Sequence, residues 1–126
     1  MPGKWKLTIT QEFSASHQLR NYCGKCENMH GHNFGVEVVV EGDTLDPKVQ
    51  YLVDFKELKR LTRTVLDKLD HKHLNEVECF TEINPSSENL AMFIYRNLKS
   101  NMPENVSLVE VSVSEKNTSK ATYWEE

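Results

Sequence analysis

His30-Gly31-His32 begins four positions after Cys26, and His17 closes the upstream stretch Phe13-Ser14-Ala15-Ser16-His17, so three of the five histidines fall in two short segments. Three neutral imidazoles that leave a further coordination position for water or substrate are the usual donor set of catalytic zinc, whereas structural zinc is normally closed by protein ligands alone. A closed alternative would take Cys23-x-x-Cys26 together with His30 and His32. Its cysteine spacing suits zinc, but its H-x-H pair is shorter than the zinc-finger spacing, and it leaves His17 unused. For His17 alone, a hydrogen-bonded core histidine is the plainer alternative.

Both segments alternate as strands do. Leu7, Ile9, Phe13 and Ala15 share a parity with His17, while Thr8, Thr10, Glu12, Ser14 and Ser16 take the other. In the second stretch Phe34, Val36, Val38 and Val40 share a parity with His30 and His32, and Glu37 and Glu41 oppose them. If the two pair as an antiparallel hairpin, the connection from about Gln18 to Met29 returns His17 to the side of His30 and His32. The alternation thus predicts three imidazoles converging over one face of a sheet.

After the second strand, Gly42-Asp43 and Asp46-Pro47 mark turns and Tyr51-Leu52-Val53 reads as a short extended piece. Asp54 is placed to cap a helix whose apolar stripe is Leu58, Leu61, Val65 and Leu69 and which stops near Asp70-His71. Pro85-Ser86-Ser87-Glu88 starts a second helix that buries Leu90, Ala91, Ile94 and Leu98. From Val106 the strand period returns, with Val109, Val111, Val113 and Glu115 on one face, and Ala121 to Trp124 makes a closing strand. The predicted architecture is a single α+β domain over residues 1–126, a four-stranded antiparallel sheet in the order ββααββ with both helices on one face. Its exposed edges predict a homo-oligomer.

The 126 residues carry 15 Lys and Arg against 19 Asp and Glu, a formal charge of -4 with no basic block, which argues against nucleic acid as a partner. No apolar run reaches the length of a membrane span and no signal-peptide pattern opens the chain, so a cytoplasmic location is expected. Three cysteines without secretory context point to reduced thiols. Among them Cys26, beside a cation, is the candidate thiolate base or nucleophile, with metal ligation as its alternative role. Asp70 adjacent to His71 can orient the imidazole as a proton relay, though such a pair at a helix end often does no more than meet the helix dipole. Glu115 closes an apolar strand row, where it needs donors. A ring with adjacent N–H groups, as in pterins and guanines, would supply two, and a strand-end salt bridge to Lys116 or Lys120 is the alternative.

Taken together these residues resemble the 6-pyruvoyltetrahydropterin synthase and 6-carboxytetrahydropterin synthase family. The carriers are Phe13-Ser14-Ala15-Ser16-His17, Cys26-Glu27-Asn28-Met29-His30-Gly31-His32-Asn33, Val53-Asp54-Phe55, Leu69-Asp70-His71-Lys72-His73-Leu74-Asn75, Asn84-Pro85-Ser86-Ser87-Glu88 and Glu115. The resemblance implies the tunnelling fold, zinc on His17, His30 and His32, and Cys26 as catalytic thiol with Asp70 and His71 as relay partners. It further implies a small-molecule pterin substrate anchored by Glu115, with help from the backbone at Ser86 and Ser87, and sites lying between subunits of a hexamer built from two trimers. Lys116, Lys120, Lys25 and Arg20 are the cations considered for a triphosphate. The spacing C-x3-H-G-H is that of the carboxy-forming branch, with release of acetaldehyde and triphosphate from 7,8-dihydroneopterin triphosphate in a queuosine route. The alternatives are the pyruvoyl-forming reaction, an aldolase activity, and a zinc-stabilised binding module without turnover.

Overall fold

The computed structural model describes residues 3–22 and 28–126; Cys23, Lys25 and Cys26 therefore lie outside the described residues. Two long strands, β1 (Trp5–His17) and β2 (His30–Gly42), form an antiparallel hairpin whose register runs from Trp5 opposite Gly42 to His17 opposite His30. Directly opposed residues of an antiparallel pair point to the same face, so Ile9 with Val38 and Phe13 with Phe34 build one apolar surface. Phe13 and Phe34 stack at 4.9 Å between centroids.

Helix α1 (Phe55–Leu66) starts where Asp54 accepts the Lys56 N–H, and helix α2 (Ser87–Lys99) starts where Ser86 Oγ accepts the Asn89 N–H. Each cap satisfies a backbone donor that the first helical turn leaves unpaired. Leu58, Val65 and Leu66 of α1 and Leu90, Ala91, Ile94, Tyr95 and Leu98 of α2 join the inward residues of β1 and β2 in one core cluster. Thr8, Thr10 and Glu12, on the other parity of β1, are exposed. Both helices therefore cover the same face of the sheet.

The sheet has five strands, not four. Strands β3 (Lys72–His73), β4 (Ser107–Lys116) and β5 (Ser119–Tyr123) complete it in the order β3-β1-β2-β4-β5, and the elements run ββαβαββ. The added strand β3 runs parallel to β1, with Ala15 opposite Lys72 and Ser16 opposite His73, whereas the other pairs are antiparallel. It exists because α1 ends at Leu66, earlier than the apolar stripe suggested, and the chain reverses through His71, whose φ of 59° is left-handed. That reversal lays Lys72 and His73 along the free edge of β1. A two-residue strand is too short for alternation to announce it.

A second departure lies in β4. Val39 opposes Glu110 while Val40 opposes Leu108, so Val109 is the extra residue of a bulge. Leu108 consequently packs against the core in the place expected for Val109.

Candidate metal centre and its surroundings

At one end of the hairpin the alternation that buries Phe13 and Phe34 also carries His17, His30 and His32 to the core face. His17 is fully buried. The three rings meet edge-on, with centroids 4.6 Å apart for His17 and His30, 5.5 Å for His17 and His32, and 4.7 Å for His30 and His32. Phe34 lies beneath them, 5.2 Å from His17 and 5.6 Å from His32. Ala15, opposite His32, presents only a methyl group there.

Protonation of two of the rings is set by carbonyl oxygens, which only accept. His17 Nδ1 donates to Pro85 O at 2.7 Å and His30 Nδ1 donates to Asn28 O at 2.8 Å. A neutral ring that carries its proton on Nδ1 presents a lone pair at Nε2. Burial pushes the His17 imidazole below its ordinary range, against the opposing pull of the Pro85 carbonyl and the Glu115 carboxylate, and so favours that neutral form.

Glu115, on β4, reaches the same point. Its Oε1 is 3.2 Å from His17 Nε2 and its Oε2 is 3.2 Å from His32 Nε2. Neither contact has hydrogen-bond geometry: both Nε2 atoms are buried without a hydrogen-bond partner among the described residues. A carboxylate facing a ring lone pair is repulsive, and a cation between them converts that conflict into coordination. The separation agrees with a tetrahedral edge of roughly 3.3 Å that follows from zinc-to-nitrogen and zinc-to-oxygen bonds of about 2.0–2.2 Å. The ligand atoms of His17, His30, His32 and Glu115 all lie within 4.8 Å of one another. This donor set fits a divalent metal ion.

The alternation identified the histidines but set Glu115 apart as a holder of a ring; the structure places its carboxylate in the donor cluster. The salt bridge considered for it does not form with Lys120, which pairs with Glu37 at 3.0 Å. Beside Glu115 a cleft of about 460 Å³ is lined by Leu19, Tyr22, Ser87, Glu88, Lys116 and Lys120. Ser86 caps α2, and its neighbour Pro85 supplies the carbonyl that holds His17.

Asp70 and His71 stand elsewhere. Asp70 Oδ1 accepts the Ser14 backbone N–H at 2.8 Å and lies 3.1 Å from His71 Nδ1. The Ser14 N–H holds the Asp70 carboxyl below the usual carboxylate range, with His71 and the Arg63 guanidinium adding to the effect. Together they border a cleft with Glu12, Asn33 and Arg63, and His71 is 82% exposed. The structure thus brings together His17, His30, His32 and Glu115, and leaves Asp70 and His71 in a separate cleft. Arg20, considered as a phosphate cation, is already committed: its guanidinium donates to Phe80 O at 2.8 Å and Ile83 O at 3.1 Å. His73 accepts or donates at Ser16 Oγ, 2.9 Å away, on the edge formed by β3. No described helix is long and apolar enough to cross a membrane.

The model of the 6-pyruvoyl tetrahydropterin synthase family matches residues 6–126. The chain belongs to that family. Its members are enzymes that process pterins. A dihydroneopterin monophosphate aldolase of Pyrococcus furiosus is 35% identical over 114 residues, covering 90% of this chain and 92% of the relative. A protein of Archaeoglobus fulgidus with a provisional 6-carboxy-5,6,7,8-tetrahydropterin synthase name is 39% identical over 92 residues, covering 73% of this chain and 74% of the relative. Among solved structures, the 6-pyruvoyl tetrahydropterin synthase of Caenorhabditis elegans superposes with a TM-score of 0.86 at 30% identity, over 98% of this chain and 97% of the other.

Proposed function

We propose that this protein is a zinc-dependent 6-carboxytetrahydropterin synthase that converts 7,8-dihydroneopterin triphosphate and one water molecule into 6-carboxy-5,6,7,8-tetrahydropterin, acetaldehyde and triphosphate. The observation that carries the metal-dependent part is the pair of buried, unpartnered Nε2 atoms on His17 and His32 facing the Glu115 carboxylate. His17, His30 and His32 would hold the ion. Zinc bound there supplies Lewis acidity toward the side-chain hydroxyls of the substrate.

The remaining work falls to the chain. When substrate binds, the Glu115 carboxylate would exchange its place in the donor cluster for paired N–H donors from the pterin ring, and the cleft beside it, with Ser87 at the start of α2, has room for that ring. Lys116 flanks this cleft and would meet the anionic tail, joined by Lys120 if it leaves its pairing with Glu37. Cys26 would take a proton from the side chain, and the Asp70-His71 pair would pass it on. Because His71 is exposed and borders a cleft separate from the imidazoles of its own chain, the relay fits a site completed by a second copy, in keeping with a homohexamer built from two trimers.

The C-x3-H-G-H spacing from Cys26 to His30 supports the carboxy-forming reaction. The similarity to the aldolase of Pyrococcus furiosus, which extends over nearly the whole of both chains, favours a second reading, retro-aldol cleavage of a dihydroneopterin phosphate. One experiment separates the readings. The zinc-loaded protein is incubated with dihydroneopterin triphosphate and, in parallel, with the monophosphate, and products are identified by mass spectrometry. Acetaldehyde with a 6-carboxylated pterin supports the proposal; a hydroxymethyl pterin with glycolaldehyde phosphate supports the aldolase; a pyruvoyl product without aldehyde release supports the pyruvoyl-forming enzyme. Tight pterin binding without any product would leave a binding module.

A further inference from the structure

The ladder between β1 and β2 ends at His17 opposite His30, yet the chain beyond His17 stays held as though another strand lay beside it. Asn75 Oδ1 accepts the Gln18 N–H at 2.9 Å and Asn75 Nδ2 donates to the Gln18 carbonyl at 2.9 Å. Two residues on, Asn84 Oδ1 accepts the Arg20 N–H at 2.8 Å and Asn84 Nδ2 donates to the Arg20 carbonyl at 2.9 Å. The Nδ2–H cis to Oδ1 and the Oδ1 itself point the same way, as the N–H and C=O of one strand residue do, so each asparagine substitutes for a residue of a neighbouring strand. Residues i and i+2 are the ones that a strand pairs on one edge, and Gln18 and Arg20 obey that spacing. The Arg20 guanidinium then closes the arrangement on the carbonyls of Phe80 and Ile83.

Asn84 is also chemically continuous with the metal centre. Its own carbonyl accepts the Asn89 side chain at 2.8 Å, and the next residue, Pro85, provides the carbonyl that fixes the His17 Nδ1 proton. Nothing in metal or pterin chemistry calls for Asn84 to touch either group. We infer that Asn84 is a positioning residue: by joining the Arg20 backbone to the segment that carries Pro85, it holds His17 in the tautomer and orientation that present Nε2 for coordination. Asn75 supports the same strand extension one step closer to His17. The inference rests on the metal-dependent reading above, because it assigns Asn84 to the service of a ligand.

The test compares Asn84→Ala with Asn105→Ala. Asn105 makes the same kind of bond, from Nδ2 to the Leu52 carbonyl at 2.7 Å, far from the histidines, and controls for the loss of an amide tether. Two readouts are taken: cobalt affinity by competition with a chelator, and the ¹⁵N resonances of His17 in the metal-free protein at a pH where imidazole is neutral. Asn84→Ala should weaken cobalt binding about tenfold, the lower end of the range for residues that orient a metal ligand, and shift His17 toward a mixture of tautomers. Asn105→Ala should lower thermal stability while leaving both readouts at the wild-type values. Asn84→Asp keeps the bond to the Arg20 N–H and loses only the donor to its carbonyl. It should move both readouts the same way by less, and it serves if the alanine variant does not fold. Wild-type cobalt affinity and an unchanged His17 tautomer in a folded Asn84 variant would overturn the inference. If the wild-type protein binds no cobalt, the metal reading fails, and the tautomer measurement alone decides the role of Asn84.

Discussion

Asp70 and Ser14 are locked together in both directions. The Asp70 carboxylate accepts the Ser14 N–H at 2.8 Å, and the Ser14 carbonyl accepts the N–H of the next residue, His71, at 2.6 Å. The pair proposed as relay is thereby fixed to β1 at a position three residues from His17, with its imidazole turned outward. The carboxylate has a structural duty as well as the catalytic one proposed for it, and the two can be separated.

Asp70→Asn retains an oxygen for the Ser14 N–H but loses the charge that would support an imidazolium. Turnover should fall by roughly 10²-fold or more, within the usual range for a proton-transfer group, while the fold is retained. Steady-state kinetics with circular dichroism on the same sample checks this. Wild-type kcat in the variant would remove Asp70 from the relay.

His32→Ala should lose metal before it loses structure. Its ring is partly accessible and its Nε2 has no hydrogen-bond partner to forfeit among the described residues, so little of the fold depends on it. Bound zinc per chain, measured by mass spectrometry after dialysis, should drop to about a tenth or less of the wild-type content, as expected when one of few ligands is removed. Stoichiometric zinc retained through dialysis would show that His32 is not a ligand.

Phe34→Ala tests the floor of the centre. Phe34 is fully buried, stacks on Phe13 and touches the rings of His17 and His32. Truncation should destabilise the protein by about 3–5 kcal/mol in chemical denaturation, through lost burial and the cavity left behind. A loss below about 1 kcal/mol would mean that the surrounding core collapses onto the site.

Glu125 provides a pH signature at the far end of the molecule. Hydrogen bonds from Tyr123, Arg96 and Lys99 push its pKa from 4.5 down to about 2. A carboxylate depressed in the folded state stabilises the protein above its unfolded pKa, and that contribution disappears as pH falls through the folded value. The melting-temperature advantage of wild type over Glu125→Gln should therefore be full above pH ~5 and shrink between about pH 4.5 and pH 2. A constant difference across that window would show that the three donors do not select the charged form.

Much of this architecture could be read directly from side-chain order. The period of two over Leu7–His17 and His30–Val40 placed three histidines on one face, and Asp54 and the segment Pro85-Ser86-Ser87-Glu88 marked the two helix starts because such signals are local side-chain chemistry. What escaped depends on contacts distant along the chain. Strand β3 is held by pairing with β1, the bulge that exchanges Val109 for Leu108 is decided by the register against β2, and the carboxamides of Asn75 and Asn84 meet backbone more than fifty residues away. Arg20 looked available because its charge was visible and the carbonyls of Phe80 and Ile83 were not. Cys26, the thiol on which the proposed proton chemistry turns, lies outside the described residues.

On the proposed chemistry, the left-handed backbone at His71 makes this a position that sets durability against activity. A side chain there carries a conformational penalty of order 1 kcal/mol that glycine avoids, and the imidazole is 82% exposed, with little packing to offset it. His71→Gly should consequently leave stability unchanged or raise it by up to about 1 kcal/mol, since the greater freedom of glycine in the unfolded chain works against the relief. On the proposed chemistry the same change should abolish proton relay. A chain selected for endurance alone would carry glycine at this turn; on the proposed chemistry, the histidine gives up stability for function.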